Sequence, residues 1–329
     1  MRSISADRQR ELLTWPAARL HRVLGVTQVE TMTGVFADRV AESVERRRSQ
    51  LVLGLDPVLD LLPVELQGEA GEGPAARGDA VARFCRGLID AAAPMCVAVK
   101  PQLAFFEAFG SHGLRAFEDA CAYAHEAGLL VIADAKRGDI GSTARAYAAA
   151  YVEPRDGGPP VADAITVNAY LGRESVEPFL NACKRHGAGL FIVTKTSNAG
   201  SADVQDLRLR DGEVVWHHVA LLAREWGEQL LGERGLSSVG LVIGATYPRA
   251  VGEARRLCPQ QVLLLPGIGA QGAGPAEVAR AFTSGPASAL VSVSRAIDYA
   301  FRARGGDWRT AAGAEAVRLR DEIWAVSGW

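Results

Sequence analysis

Leu129-Leu130-Val131-Ile132-Ala133-Asp134-Ala135-Lys136-Arg137-Gly138-Asp139-Ile140-Gly141-Ser142-Thr143 is the stretch around which the rest of the chain is organised. Residues 129–133 form an apolar run of strand length. Alternate side chains of an extended chain share a face, so Asp134 and Lys136 emerge on one side where the run ends. Asp139 follows across a glycine turn. Charges of alternating sign at the end of a buried strand are costly to desolvate unless they pair with one another or meet a charged ligand. A lone Asp-x-Lys is most simply a salt bridge closing the top of a sheet; the neighbouring strands turn the reading toward chemistry.

The same kind of apolar run recurs along the chain at residues 51–55, 96–99, 164–167, 190–193, 239–243, 262–265 and 289–293. Between the runs lie helical patterns at 80–93, 113–127, 175–186, 219–231, 248–257 and 275–283, with an amphipathic helix at 36–48 before the first run and a closing helix at 311–326. Nearly continuous apolar strands alternating with helices predict an all-parallel sheet covered on both faces. Eight such units close into a (β/α)8 TIM barrel, with an open doubly wound sheet as the alternative. Residues 153–160, rich in Pro and Gly, read as a loop, and 207–215 as a small hairpin around Asp211-Gly212. Residues 1–31, Arg-rich with weak helical periodicity, read as an N-terminal extension, in part without fixed structure; the barrel domain spans 32–329, and Met32 is an alternative start.

Composition limits the partners. A length of 329 residues with 48% hydrophobic and 22% charged residues suits one large globular domain. With 36 basic against 38 acidic residues the formal charge is −2, so no field favours nucleic acid or an anionic membrane. Cys85, Cys96, Cys121, Cys183 and Cys258 show no close spacing, which argues against a zinc site or a disulfide framework and for a reducing compartment. No stretch reaches the roughly 20 apolar residues of a membrane span and no signal-peptide core is evident, so a cytoplasmic protein is expected.

In such a barrel the carboxyl ends of the strands converge on one mouth. Asp56 ends the first strand, Lys100 the second, and Asp134 and Lys136 the third, predicting an alternating carboxylate–ammonium chain with Asp139 nearby. Across the mouth, Pro266-Gly267-Ile268-Gly269-Ala270-Gln271-Gly272 and Ser292-Val293-Ser294-Arg295 offer glycine amides, a helix start near Pro275 and a guanidinium, the means of binding a phosphate. Read literally, the glycines also match a dinucleotide fingerprint. No acidic residue follows at the distance a ribose contact needs. Thr194-Lys195-Thr196-Ser197-Asn198, and Thr166, Asn168 and Tyr170, are polar ends without a decisive chemistry.

Taken together, Gly54-Leu55-Asp56-Pro57, Val99-Lys100-Pro101, the stretch 134–143, Lys195-Thr196-Ser197-Asn198 and the stretch 266–272 resemble the orotidine 5'-phosphate decarboxylases, in their longer bacterial subgroup, from about Phe36 to Arg302. The resemblance implies a cofactor-free, metal-free carboxy-lyase that converts orotidine 5'-monophosphate to UMP and CO2 in pyrimidine biosynthesis. It also implies a homodimer with shared active sites. By the same resemblance, Asp56 and Lys100 contact the ribose, Asp134 lies beside the substrate carboxylate, and Lys136 protonates C6. Asp139, Ile140 and Thr143 reach the partner subunit's substrate. Ser197 bonds the pyrimidine, Pro266 belongs to the substrate-binding set, and Gln271 and Arg295 bind the phosphate. Ala169 and Ala199 stand where the family usually has proline, which loosens those two loops. Three rivals are weighed against this: a metal-dependent aldolase or decarboxylase of the same barrel, a Schiff-base lyase using Lys195 or Lys136, and a nucleotide-binding barrel without catalysis.

Overall fold

Eight strands close in sequence order into a parallel barrel: β1 (Leu51–Leu55), β2 (Ala98–Pro101), β3 (Leu130–Arg137), β4 (Ala164–Val167), β5 (Gly189–Lys195), β6 (Ser237–Ile243), β7 (Gln261–Pro266) and β8 (Ala289–Val293). The open sheet is thereby excluded, since β1 pairs directly with β8, Leu51 opposite Val291. The structure, a computed structural model, describes residues 34–71, 73–155, 157–269 and 272–329. The expected extension at 1–31, the start at Met32 and Gln271 lie outside the described residues.

The barrel is built as two concentric cores. Leu51, Leu53 and Leu55 of β1, Val131 and Ala133 of β3, and Leu263 and Leu265 of β7 point outward to the surrounding helices. Val52, Ala98, Leu130, Ile132, Ala164, Phe191, Val242, Val262, Leu264 and Leu290 fill the interior. The alternation of a pleated strand separates the two sets, although both are apolar. Space inside is tight: a β-carbon on Gly240 would lie 2.5 Å from the Phe191 ring, so the small residue there makes room for the large one.

The helix Phe36–Arg47 lies across the amino-terminal end of this barrel and shuts its floor. Phe36 meets Phe191 edge-on at 5.8 Å, Arg47 donates to the carbonyls of Ala93 and Gly128 at 2.6 and 2.8 Å, and Arg39 pairs with Asp163. Asp163 also accepts the Val131 N–H at 2.8 Å and faces His125 at 3.0 Å. Burial works against its charge, but these partners hold its carboxyl below the ordinary range.

A second structural anchor lies between helix Pro248–Leu257 and β7. The guanidinium of Arg255 is buried and donates to the carbonyls of Ala281, Cys258, Pro259, Gln261 and Ser288 at 2.6–3.0 Å. Helices Val64–Ala70, Leu103–Glu107 and Gly141–Tyr151 add to the expected set. The segment expected as a helix at 275–283 is a 3-10 helix, Pro275–Phe282. The expected hairpin reduces to one antiparallel bridge, Arg208 with Val214, closed by Leu209 N–H to Glu213 O at 2.7 Å.

Candidate active site

The interior face of the strands carries apolar residues through its lower layers and charged ones in the top layer. Ala98 and Lys100 share a face of β2, Leu130, Ile132 and Asp134 share one of β3, and Ala164 and Thr166 one of β4. Lys100 Nζ lies 2.6 Å from Asp134 Oδ2, and Lys136 Nζ lies 2.5 Å from Asp134 Oδ1. Thr166 Oγ1 donates to Asp134 Oδ1 at 3.0 Å, and Gln102 Nε2 donates to Asp134 Oδ2 at 3.1 Å. Each carboxylate oxygen of Asp134 therefore meets one ammonium and one neutral donor.

Exposure grades across this array. Lys100 and Asp134 are 6% and 8% exposed, whereas Lys136 is 45% exposed. Burial alone would raise the Asp134 pKa, but the charges of Lys100 and Lys136 and their hydrogen bonds hold its carboxyl well below the usual range. Burial likewise disfavours charge on Lys100, and the charges of Asp134 and Asp56 with the Asp134 hydrogen bond more than offset it, so its pKa rises. Asp134 is thus a fixed anion and Lys100 a fixed cation at any pH near neutrality.

The backbone contributes as well. Lys136 has φ of 46°, the left-handed region that L residues rarely adopt, and the pairing of β3 with β4 slips between Ala133 and Arg137. Thr166 Oγ1 accepts the Lys136 N–H at 2.9 Å, which holds the bulge in place. A non-glycine residue in this region costs about 1–3 kcal/mol, a strain typical of sites. The bulge frees Lys136 from strict strand alternation and turns its ammonium back onto Asp134.

Asp56 departs from the expected chain. It is half-buried and influences Lys100 electrostatically, yet it makes no ion pair among the described residues. Lys100 spends its contact on Asp134, and the Asp56 N–H is held by Asp298 Oδ2 at 3.2 Å. Direct contact therefore runs Lys100–Asp134–Lys136, with Asp56 beside it. Asp139 stands in the loop after β3, its Oδ1 accepting the N–H of Ile140 at 2.8 Å, with no cationic partner among the described residues. Ile140 is half exposed and Thr143 exposed.

Across the mouth, Ser197 is half-buried after β5, against the end of β6 at Gly244. Lys195 is buried and paired with both oxygens of Asp206 at 2.8 Å and with Ser201 Oγ at 3.1 Å. That occupation suits an anchor for the fifth loop rather than a free amine. Pro266 ends β7 and Arg295 is exposed, without an ion pair among the described residues.

The glycine loop differs from expectation. Gly267, Gly269 and Gly272 all have positive φ, but the N–H groups of Gly269 and Gly272 close the loop on itself through Ala273 O and Gly269 O, both at 2.9 Å. Glu277 accepts the Gly274 N–H at 2.9 Å, so the start of the short helix already holds a carboxylate. On this side Arg295 is the free cation among the described residues.

Sequence reasoning passed over Gln102, Asp298 and Tyr299. Gln102 sits two residues beyond Lys100 on the same face, a signal that was available. Asp298 and Tyr299 belong to turns too short for any periodic pattern. Among the described residues no group of three or more His, Cys, Asp or Glu side chains converges as metal ligands would.

The family model described as Orotidine 5'-phosphate decarboxylase / HUMPS family matches residues 49–301. The orotidine 5'-phosphate decarboxylase of Rhodopirellula baltica is 40% identical over 302 residues, which cover 88% of this chain and 98% of that one. Its counterpart in Deinococcus radiodurans is 42% identical over 293 residues, covering 89% and 98%. Among solved structures, the OMP decarboxylase of Leishmania donovani superposes with a TM-score of 0.69 at 31% identity, covering 90% of this chain and all of that one.

Proposed function

This chain belongs to the orotidine 5'-phosphate decarboxylase family and its reaction is the decarboxylation of orotidine 5'-phosphate; from that premise we propose that Lys136 delivers the proton that replaces CO2 at C6 of the pyrimidine. The observation carrying this reading is the contact array Lys100–Asp134–Lys136 at the carboxyl mouth of the barrel.

When the bond from C6 to the carboxylate breaks, its electron pair stays on C6, where no adjacent carbonyl can delocalise it. The site must meet that charge directly. An ammonium at C6 stabilises the developing carbanion and then transfers its proton, preorganised electrostatics joined to general-acid catalysis. The products are CO2 and UMP, and neutral Lys136 regains a proton from solvent, to which it is partly open. Asp134, anionic throughout, orients Lys136 and sits where it repels the substrate carboxylate. At about 4 Å and an effective dielectric near 20 that repulsion is worth ~4 kcal/mol, relieved as CO2 leaves. The two lysines reduce this figure, so the ammonium ranks above the repulsion.

The remaining assignments follow the mouth. Asp56 and Lys100 hold the ribose hydroxyls, Ser197 the pyrimidine, and Arg295 with Gln271 the phosphate, with Pro266 alongside. Grip on a phosphate remote from the breaking bond raises the rate by orienting the ring. No step calls on a cofactor or metal. The reading includes a homodimer in which Asp139, Ile140 and Thr143 face the partner's ligand. Its support is the exposed apolar surface of Ile140, Tyr170 and Leu171, on loops joined by Asn168 N–H to Arg137 O at 2.7 Å. A cytoplasmic setting fits five unpaired, buried cysteines and no helix among the described residues long and apolar enough to cross a membrane.

The test is UMP formation from orotidine 5'-monophosphate in EDTA without added cofactor. Turnover is expected to persist in the wild type and to fall by at least ~10⁴-fold in Lys136→Ala. Near wild-type turnover in that variant overturns the assignment, and loss of wild-type turnover in EDTA points to the metal-dependent rival.

A further inference from the structure

Asp298 and Tyr299 are buried, yet the steps above use neither. Asp298 closes the four-residue helix that begins at Arg295, and its Oδ2 accepts the Asp56 N–H at 3.2 Å. Tyr299 donates its hydroxyl to Asp56 O at 2.6 Å and accepts the Val58 N–H at 2.8 Å. Two consecutive side chains beyond β8 thus hold the backbone of Asp56 on both sides and that of Val58 beyond it. Tyr299 is itself stacked on Phe84 at 5.8 Å, and Phe84 packs on Trp308 at 5.3 Å, so its ring cannot swing. Gly54 lets this seam close: a β-carbon there would lie 1.9 Å from Ser294 Oγ.

Asp56 Oδ1 and Asp298 Oδ1 are both buried and without a hydrogen-bond partner among the described residues. Two charged carboxylates so placed would be costly, and a proton on Asp298 removes one charge while creating a donor. Burial, then the charge of Asp56, push the Asp298 carboxyl well above its usual range, against the opposing pull of the Asp56 N–H and Lys100. Cys85, also buried beside them, is held as a neutral thiol by its burial.

We propose that Asp298 and Tyr299 are positioning residues that fix Asp56 for its grip on the ribose hydroxyls. The inference rests on the ribose contact proposed above for Asp56. The measurement is the inhibition constants of UMP and of 2',3'-dideoxy-UMP: the dideoxy constant divided by the UMP constant reads the ribose-hydroxyl grip and is blind to a uniform loss of affinity. Asp298→Ala and Tyr299→Phe should each lower the ratio by about 3- to 10-fold through weaker UMP binding. Asp298→Asn, which keeps an acceptor for the Asp56 N–H and offers a donor in place of the carboxyl proton, should leave it within about 2-fold. Should Asp298→Ala fail to fold, Tyr299→Phe decides. Asp56→Ala separates the two layers. If it leaves the ratio unchanged, the ribose reading fails and the inference with it. If it lowers the ratio while Tyr299→Phe and Asp298→Ala weaken both nucleotides equally, the ribose reading stands and the positioning role is refuted. An Asn variant as impaired as the Ala variant also refutes it.

Discussion

Lys100→Met removes one charge of the central array while keeping a side chain of similar length. At 2.6 Å and an effective dielectric near 20, the lost attraction to Asp134 is about 6 kcal/mol before desolvation is counted. Removing one partner of a buried pair costs ~3–5 kcal/mol net, because the other charge is left behind. For a chain of this size that is a fall in Tm of roughly 10 °C. The pH dependence supplies a sharper test. In the wild type the folded pKa of Asp134 lies below its unfolded value, so its contribution is present above about pH 4 and is lost as pH falls through the folded pKa. Without Lys100 burial is no longer offset and the folded pKa climbs, so the deficit should be widest at neutral pH and shrink toward pH 4. Thermal unfolding across pH 4–8 measures this, with Lys100→Met/Asp134→Asn as the control. The double variant should be more stable than Lys100→Met because the orphaned charge is gone. A deficit below ~1 kcal/mol that does not vary with pH, or a double variant less stable than the single one, would refute the idea that Lys100 sustains the ionised Asp134.

Arg255→Leu removes five hydrogen bonds to carbonyls, four of them buried, and should cost ~3–5 kcal/mol in chemical denaturation, while kcat of the folded protein stays within about 2-fold. Asp298→Asn should raise Tm at pH 8 and have little effect at pH 4. The raised folded pKa means that the folded state keeps a proton the unfolded chain releases above about pH 4, so this group's stability declines as pH rises. Equal Tm shifts at both pH values would contradict a neutral Asp298. Mixing Lys136→Ala with Asp139→Ala subunits should restore up to about a quarter of wild-type activity if each site draws on both chains, and an inert mixture argues for self-contained sites.

Much of the barrel was legible because strand cores need little besides continuous apolar residues. Residues 51–55, 164–167 and 289–293 match β1, β4 and β8 residue for residue. The errors fall where chemistry interrupts the pattern. β3 runs on through Asp134 and Lys136 to Arg137, since a bulge pinned by Thr166 keeps charged residues on the sheet. β2 begins and ends two residues later than its apolar run, because Pro101, unfit for a strand interior, is tolerated as its last residue. Helix Gly141–Tyr151 escaped notice because its buried face is Ala144 and Ala148, too small to stand out from its surroundings. In the site, the three charges in direct contact were readable from strand ends alone. The detachment of Asp56 was not, since it depends on a carboxylate 242 residues away. Nor could the sequence tell that Glu277 would occupy the helix start expected to receive an anion.

The closure of β1 onto β8 also has a meaning for synthesis. A chain leaving the ribosome from its amino end can bring Lys100, Asp134 and Lys136 together while the eighth strand is still untranslated, whereas Asp56 waits for Asp298 and Tyr299. Contacts between such distant parts of a chain form late and slowly. A nascent or truncated polypeptide that stops short of β8 would therefore carry the Lys100–Asp134–Lys136 array yet lack the Asp298 and Tyr299 contacts that hold the Asp56 backbone, which arrive only with about the last eighth of the chain.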